Sequence, residues 1–355
     1  MNVLVLGETT YCLTCLMDNF PLENKKYDIL EKYESGGGSA ANIAYLLGTW
    51  GIETYFASLV GNDDYANIIK KEFKNANVKT DYLETNFEKN TPMEFIIINK
   101  QNGSRTDFTL ASNLGHLKKE DWNVNPDFII SDGLEYHASS VAFSKYPNAQ
   151  SVLLADVVTP EKLDLCKFAK YIIFSKEFAE KITNYNIDYN NSNTLVSLYN
   201  NLISKYPKAT IIVTLEDKGA LYSVNGNIRI MPGLKTDVKD SSGAGDVFIG
   251  AFVYGLSCKY DIEKVITLAN IAGGLSTEMV GSRASIPDLN SVLTYYAQKY
   301  NTNQEMTSAQ NPQNTNTVMN QNAPVIPNTS VNPSTTNIPN QEVNKISNAA
   351  ANNNK

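Results

Sequence analysis

Short apolar runs and stretches of helical spacing alternate over the first 300 residues. Val3 to Leu6 is a run of four apolar residues ended by Gly7, the length and punctuation of a buried strand. The segment SAANIAYLLGTWG then places Ile43, Leu46, Leu47 and Trp50 at helical spacing and closes on Gly51, which predicts a helix with one apolar face. Tyr55 to Val60 predicts a second strand, followed by a helix from about Asp63 to Ala76. Further strands are expected at Phe128 to Ile130, Val152 to Ala155, Tyr171 to Phe174 and Ile211 to Leu215, most of them followed by a helical stretch. Such alternation predicts an α/β fold with a doubly wound, mostly parallel sheet and helices on both faces.

Two regions break the alternation. Thr9 to Glu34 and Met93 to Leu110 lack helical spacing, and the second contains FIIINKQNGSRTDFTL, two extended runs about Asn102-Gly103 that read as a hairpin. Strands interrupting a doubly wound sheet have no place within it, so both are expected to form a small β-lid over the strand ends, where a lid excludes water from a site.

Composition adds a boundary near residue 300. From Asn301 to Lys355 there is no Phe, Tyr or Trp, 16 of the 55 residues are Asn, and the few charges cancel. Too little apolar surface is available there to offset the entropy of ordering the backbone, so residues 301–355 are expected to be a disordered, low-complexity tail on a single domain of residues 1–300. The net charge of -7 argues against a nucleic-acid surface. No run of about 20 apolar residues exists, and the opening MNVLVLGETTYC lacks a basic export signal, so neither a membrane span nor secretion is expected. Four cysteines are too sparse for a disulfide framework and suit a reducing, cytoplasmic compartment. Two histidines, His116 and His137, leave little material for a His-rich zinc site or a Ser-His-Asp triad. Cys12-Leu13-Thr14-Cys15 has CxxC spacing but no second CxxC and no nearby His, so two lid or core thiols are expected there.

Two glycine-rich segments carry candidate chemistry. In Asp240-Ser241-Ser242-Gly243-Ala244-Gly245-Asp246, small residues run into a helix whose Val247, Phe248, Phe252, Val253 and Leu256 face a core. Backbone N–H groups at such a helix start converge on an anion, assisted by the helix dipole. Asp246 falls in the first turn, where a cap is the plain reading; a carboxylate beside an anion site is otherwise unfavourable unless it handles a proton or a metal. In Gly36-Gly37-Gly38-Ser39-Ala40-Ala41-Asn42, glycines allow close backbone approach and Asn42 offers an amide to a hydroxyl, or the segment is a turn with a local cap. No GxxxxGK[ST], HRD or DFG motif occurs.

Together, the opening strand with Gly7, GGGSAANIA leading to FASLVGNDDYA, and DSSGAGDVFIGAF near residue 245 resemble the ribokinase-like, PfkB-type carbohydrate kinases, over roughly residues 1–300 and in that family's order. The resemblance implies an α/β domain with a β-lid that moves phosphate from ATP to a hydroxyl of a sugar or related small molecule. It makes Asp246 the catalytic base and Gly243, Ala244 and Gly245 the anion hole. Gly37, Gly38 and Asn42 become the sugar loop, with Glu135 a further substrate contact. Ser175, Thr214, Glu216, Gly219 and Asn270 fall along the nucleotide. Mg2+ is implied with ATP, with Glu177 as its candidate protein contact, and a monovalent cation such as K+ is compatible with the family. Lids in this family commonly pair between chains, so a homodimer through the lid is expected.

This chain also departs from the pattern. Where the family usually carries an Asp five residues after the first strand's Gly, GETTYC puts Cys12, a poor donor and acceptor for a polyol. In Ser175-Lys176-Glu177-Phe178, the acidic residue stands one place early for the family's Asn-x-x-Glu pattern. Arg105, in the lid hairpin, is a candidate substrate contact through its planar fork, or a solvated surface charge. The departures favour an alternative, a nucleotide or metabolite sensor that binds without turnover; the intact Gly243 to Asp246 set favours the kinase.

Overall fold

The computed structural model describes residues 1–298 and the pair Val325–Ile326. Strands β1 (Asn2–Leu6), β4 (Glu53–Val60), β5 (Lys79–Thr85), β8 (Phe128–Ser131), β9 (Gln150–Ala155), β10 (Tyr171–Ser175) and β11 (Thr210–Thr214) lie parallel in the order β5-β4-β1-β8-β9-β10-β11. An antiparallel meander, β12 (Ala220–Val224) and β13 (Asn227–Met231), extends the β11 edge, and Val325–Ile326 (β14) pairs with β13. The expected disordered tail otherwise lies outside the described residues.

Alternation along β1 separates two cores. Val3 and Val5 join α1 (Ser39–Thr49), α2 (Asp64–Asn75), α7 (Ala244–Ser257) and α8 (Ile262–Ser276) on one face, and Leu4 and Leu6 meet α3 (Tyr136–Lys145), α4 (Pro160–Leu165), α5 (Lys176–Thr183) and α6 (Ser192–Lys205) on the other. Both faces of the central parallel strands are therefore buried, which explains their continuous apolar runs, while β5 at the edge is only half-buried. Asp63 starts α2 by accepting the N–H of Ala66 at 2.9 Å, so the predicted helix begins at its cap. Tyr296 packs against the first core, whereas Tyr295 is exposed. No helix among the described residues is long and apolar enough to cross a membrane.

The interrupting strands form a second sheet in the order β3-β2-β6-β7, from β3 (Glu31–Gly37), β2 (Thr10–Met17), β6 (Met93–Asn99) and β7 (Arg105–Leu110). The β6–β7 hairpin turns at the predicted place, where Gly103 takes a φ of 66° and donates to the Asn99 carbonyl at 2.8 Å. β2 and β6 run parallel, an arrangement local turn signals do not reveal. Cross-strand pairs put Cys12 beside Glu94, and Ile98 beside Arg105, on the face where Cys12, Leu16, Ile96 and Ile98 pack with Val280 of the main domain. That face of the lid looks onto the large sheet.

From β1 the chain moves to β4 and β5 on one side and later to β8 and beyond on the other. The crevice at such a reversal, outside the carboxyl ends of the strands, is where doubly wound sheets place ligands.

Candidate active site

Two helix starts meet in that crevice. Gly38, at φ 88°, caps α1; a Cβ there would stand 2.7 Å from the Glu8 carbonyl, so a side chain is excluded by backbone angle and by contact alike. Gly243, at φ 74°, caps α7, and beyond Gly245 a Cβ would meet nothing within 4 Å. The start of α7 at Gly245 therefore opens onto free space, with the positive end of the helix dipole behind it, while the Ala244 N–H lies 3.4 Å from the Ser241 carbonyl. The buried hydroxyls of Ser242 and Ser282 flank this start without a hydrogen-bond partner among the described residues, and each could donate to an anion held there. Asp240 supports the loop by accepting the N–H groups of Ser242 and Gly281, each at 2.8 Å.

Asp246 lies in the first turn of α7 and is buried. Its Oδ2 accepts Asn42 Nδ2 at 2.9 Å, which joins the two glycine segments across 204 residues of sequence. Burial pushes its pKa up to about 6, opposed by hydrogen bonds from Asn42 and Ser39 and by the charge of Arg105. Asn42 is held in turn by Arg283, whose Nε lies 3.5 Å from Asn42 Oδ1 and whose guanidinium pairs with Glu72. Glu72 also accepts the Gly36 N–H at 2.9 Å. Arg283, stacked near Tyr45 and Phe73, thus ties the glycine loop to α2.

The crevice is strongly acidic at the strand ends. Asp132, following β8, is fully desolvated yet accepts the N–H of Glu8 at 2.8 Å and of Leu134 at 2.9 Å. Glu8, following β1, is pushed up to about 7, first by burial and then by the charges of Asp132 and Glu94. Asp156, following β9, pairs with the buried Lys162, and its charge is felt by both Glu8 and Asp246. Glu135 shares a cavity of about 190 Å³ with Gly7, Glu8, Thr9 and His116. Its carboxylate is raised by burial and accepts the Leu117 N–H at 3.1 Å.

The sequence candidates divide accordingly. Gly38, Asn42, Gly243, Ala244, Gly245 and Asp246 come together. Gly37 lies against Cys12, into whose Sγ a Cβ on that glycine would run, and Arg105 stands near enough for Asp246 to feel its charge. Arg105 Nε also pairs with Asp107 at 3.5 Å. Cys12 is buried on β2, where burial pushes its thiol up.

Those on the nucleotide side hold backbone. Ser175 Oγ caps α5 by accepting the Phe178 N–H at 3.1 Å, and Thr214 Oγ1 donates to the Phe174 carbonyl at 3.3 Å. Asn270 Nδ2 donates to the Met231 and Pro232 carbonyls. Glu216 and Gly219 form the positive-φ turn between β11 and β12, with Gly219 pressed against Met231 and Gly233. Glu177 opens onto a separate surface hollow with Glu180, Lys181, Asn184 and Asn186. The sequence reading missed Glu8, Glu94, Asp132, Asp156, Lys162 and Arg283; the first polar residue after each central strand was the available signal for Glu8, Asp132 and Asp156.

A parallel sheet with a β-lid, a basic residue in the lid, and a buried aspartate at an open helix start define a small-molecule phosphotransferase. The chain matches the pfkB family carbohydrate kinase model over residues 1–289 and belongs to that family; it is a carbohydrate kinase. It is 25% identical over 309 residues to a ribokinase of Staphylococcus aureus (strain COL), with 82% of this chain and 98% of the relative covered. A ribokinase from Cryptococcus neoformans var. grubii solved with ADP superposes with a TM-score of 0.69 at 21% identity, covering 83% of this chain and 99% of that one. An Arabidopsis thaliana ribokinase solved with ribose and ATP does so with a TM-score of 0.66 at 17% identity, covering 82% and 97%. These two likenesses show the fold.

Proposed function

We propose that the chain transfers the γ-phosphoryl group of ATP to a hydroxyl of a sugar or related polyhydroxylated molecule, with Asp246 as the base. The observation that carries this is the buried Asp246 carboxylate, poised near pKa 6 at the open N-terminus of α7 and gripped by Asn42 of the glycine loop. At pH 7 a group of that pKa is ionised yet close enough to the working pH to accept a proton as the acceptor oxygen bonds to phosphorus. Asn42 fixes the carboxylate toward the glycine loop, which borders the sugar and in which Gly37 and Gly38 leave room for Cys12 and the Glu8 carbonyl. The N–H groups of Ala244 and Gly245, with the Gly243 turn beneath them, hold the transferred phosphoryl group, and Arg105 offsets its charge from the lid. Ser175, Thr214, Glu216, Gly219 and Asn270 act on the nucleotide side by shaping the backbone that borders it.

The open space before Gly245 and the two orphaned serine hydroxyls fit a phosphate group. Mg2+, when bound with ATP, neutralises charge on the phosphates. No group of three or more His, Cys, Asp or Glu among the described residues could hold an ion alone, which suits an ion held chiefly by ATP and water, with Glu177 as the outlying candidate. A monovalent cation such as K+ belongs to the same proposal. The lid's open edge, β7 with Phe108 and Leu110 exposed, is the surface proposed for a homodimer.

Steady-state ADP release with ribose, fructose, nucleosides and sugar phosphates tests the reading. Release that depends on one of these acceptors is the expected result. ATP binding with no release for any acceptor would leave a sensor on the same fold.

A further inference from the structure

We propose that Glu94, on the lid strand β6, is the residue that grips the acceptor's hydroxyl groups from above, so that the acceptor is a neutral polyol. The inference rests on the kinase reading of the site and names the acceptor class for it. Cys12 and Glu94 are register partners on β2 and β6, and Cys12 Sγ donates to Glu94 Oε2 at 3.3 Å. A carboxylate is thus present on the inner face of the lid beside a thiol that could not itself hold a polyol. The Thr10 hydroxyl, also on β2, lies 3.6 Å from the same thiol. One thiol leaves much of the accepting capacity of a carboxylate unused, since its two oxygens offer about four lone-pair sites.

Three relations place that capacity in the crevice. Arg105 is felt by both Glu94 and Asp246, so the two carboxylates lie within the field of one guanidinium. Glu8 feels the charges of Glu94 and Asp156, and Asp246 feels Asp156 as well. Glu94, Glu8, Asp156, Asp246 and Arg105 therefore fall within one electrostatic neighbourhood. Finally, Gly37 of the glycine loop touches the same thiol that donates to Glu94. Sugar hydroxyls donate well to carboxylates, and two hydroxyls can share one. A phosphorylated or carboxylated group brought to the same spot would meet Glu94 and Glu8, and the cations nearby are each already paired with an acid: Arg105 with Asp107, Lys162 with Asp156 and Arg283 with Glu72.

The test uses the full chain and separates KM from kcat for ribose, fructose and fructose 6-phosphate. Glu94→Gln should raise KM for the neutral acceptor by about 10- to 100-fold, the worth of a hydrogen bond to a charged group, with kcat and the KM for ATP within about twofold. Glu94→Asp, which keeps the charge, should stay within about fivefold of wild type. An acceptor KM unchanged in Glu94→Gln overturns the inference. Equal losses in both variants also overturn it, since packing rather than charge would then be responsible. A wild-type preference for fructose 6-phosphate over fructose overturns the acceptor class. Absence of wild-type turnover with every acceptor overturns the kinase reading instead, which distinguishes the two failures.

Discussion

Replacing Asp246 by Asn should make the protein both slower and more stable. The ordinary carboxyl value of 3.8 is raised to about 6 chiefly by burial, and the charge of Asp156 adds to the effect. Two pKa units correspond to about 3 kcal/mol that the folded state forgoes at pH 7 by keeping this group ionised. The sign follows from proton binding: between pH 4 and 6 the folded protein holds a proton on Asp246 that the unfolded chain has released, so this group makes stability fall as pH rises through that window. A neutral amide at the same position would carry no such dependence. The variant should melt a few degrees above wild type at pH 7, and the difference should vanish toward pH 4. Turnover should drop by about 10²- to 10⁴-fold, the worth of a positioned general base, with ATP affinity nearly unchanged by calorimetry. Turnover within about threefold of wild type would refute the assignment of the base. A melting difference constant across pH would refute the burial argument.

In the wild type, kcat should fall below about pH 6 as Asp246 takes up a proton, and a pH–rate profile reads this directly. Arg283→Met should destabilise the fold by about 3–5 kcal/mol in denaturant unfolding by leaving Glu72 unpaired, and Arg283→Met combined with Glu72→Met should recover much of that loss. Cys12→Asp would place a second carboxylate against Glu94, so it should weaken rather than improve the KM for ribose. Truncation after Tyr300 should leave kcat and KM unchanged, because every side chain named at the site lies before residue 300, and should remove only the β13–β14 pairing from the described fold; a loss of several degrees in Tm would show a larger role for that segment.

The elements legible in the sequence are those whose signal is local. The apolar spacing of Ile43, Leu46 and Leu47 and the start of α2 at Asp63 are read over a few residues, and both lie where expected; the cap of α7 is Gly243 rather than Asp246, which caps nothing with its side chain. β5 escaped notice because KTDYLET is mostly polar, without an apolar run or alternation, and half-buried at the sheet's edge. The parallel pairing of β2 with β6 is invisible for another reason: it joins positions about 80 residues apart with no turn between them. Much of the site depended on that pairing.

Cys12 is the clearest instance. Taken in sequence, a thiol where a carboxylate is expected reads as a lost contact, and the remedies in view were Arg105 and Glu135. In the folded chain Glu135 is engaged by the Leu117 backbone N–H and the nearby His116, while the carboxylate beside the thiol comes from the neighbouring strand. Cross-strand partners in a sheet sit about 5 Å apart, so moving an acid from β2 to β6 displaces its charge by little more than its own side chain's reach. A motif read along one strand registers that exchange as a loss, although the pocket keeps its charge. Arg283 is the converse case. Its sequence neighbours, GSRASIP, carry no chemical signature, and its importance arises only because the turn at Gly281 brings it under Gly36 and Asn42. Side chains that act through backbone or through a partner strand are therefore the part of this site that one-dimensional motifs miss, and they are the ones through which two members sharing GAGD and GGG segments can come to bind different acceptors.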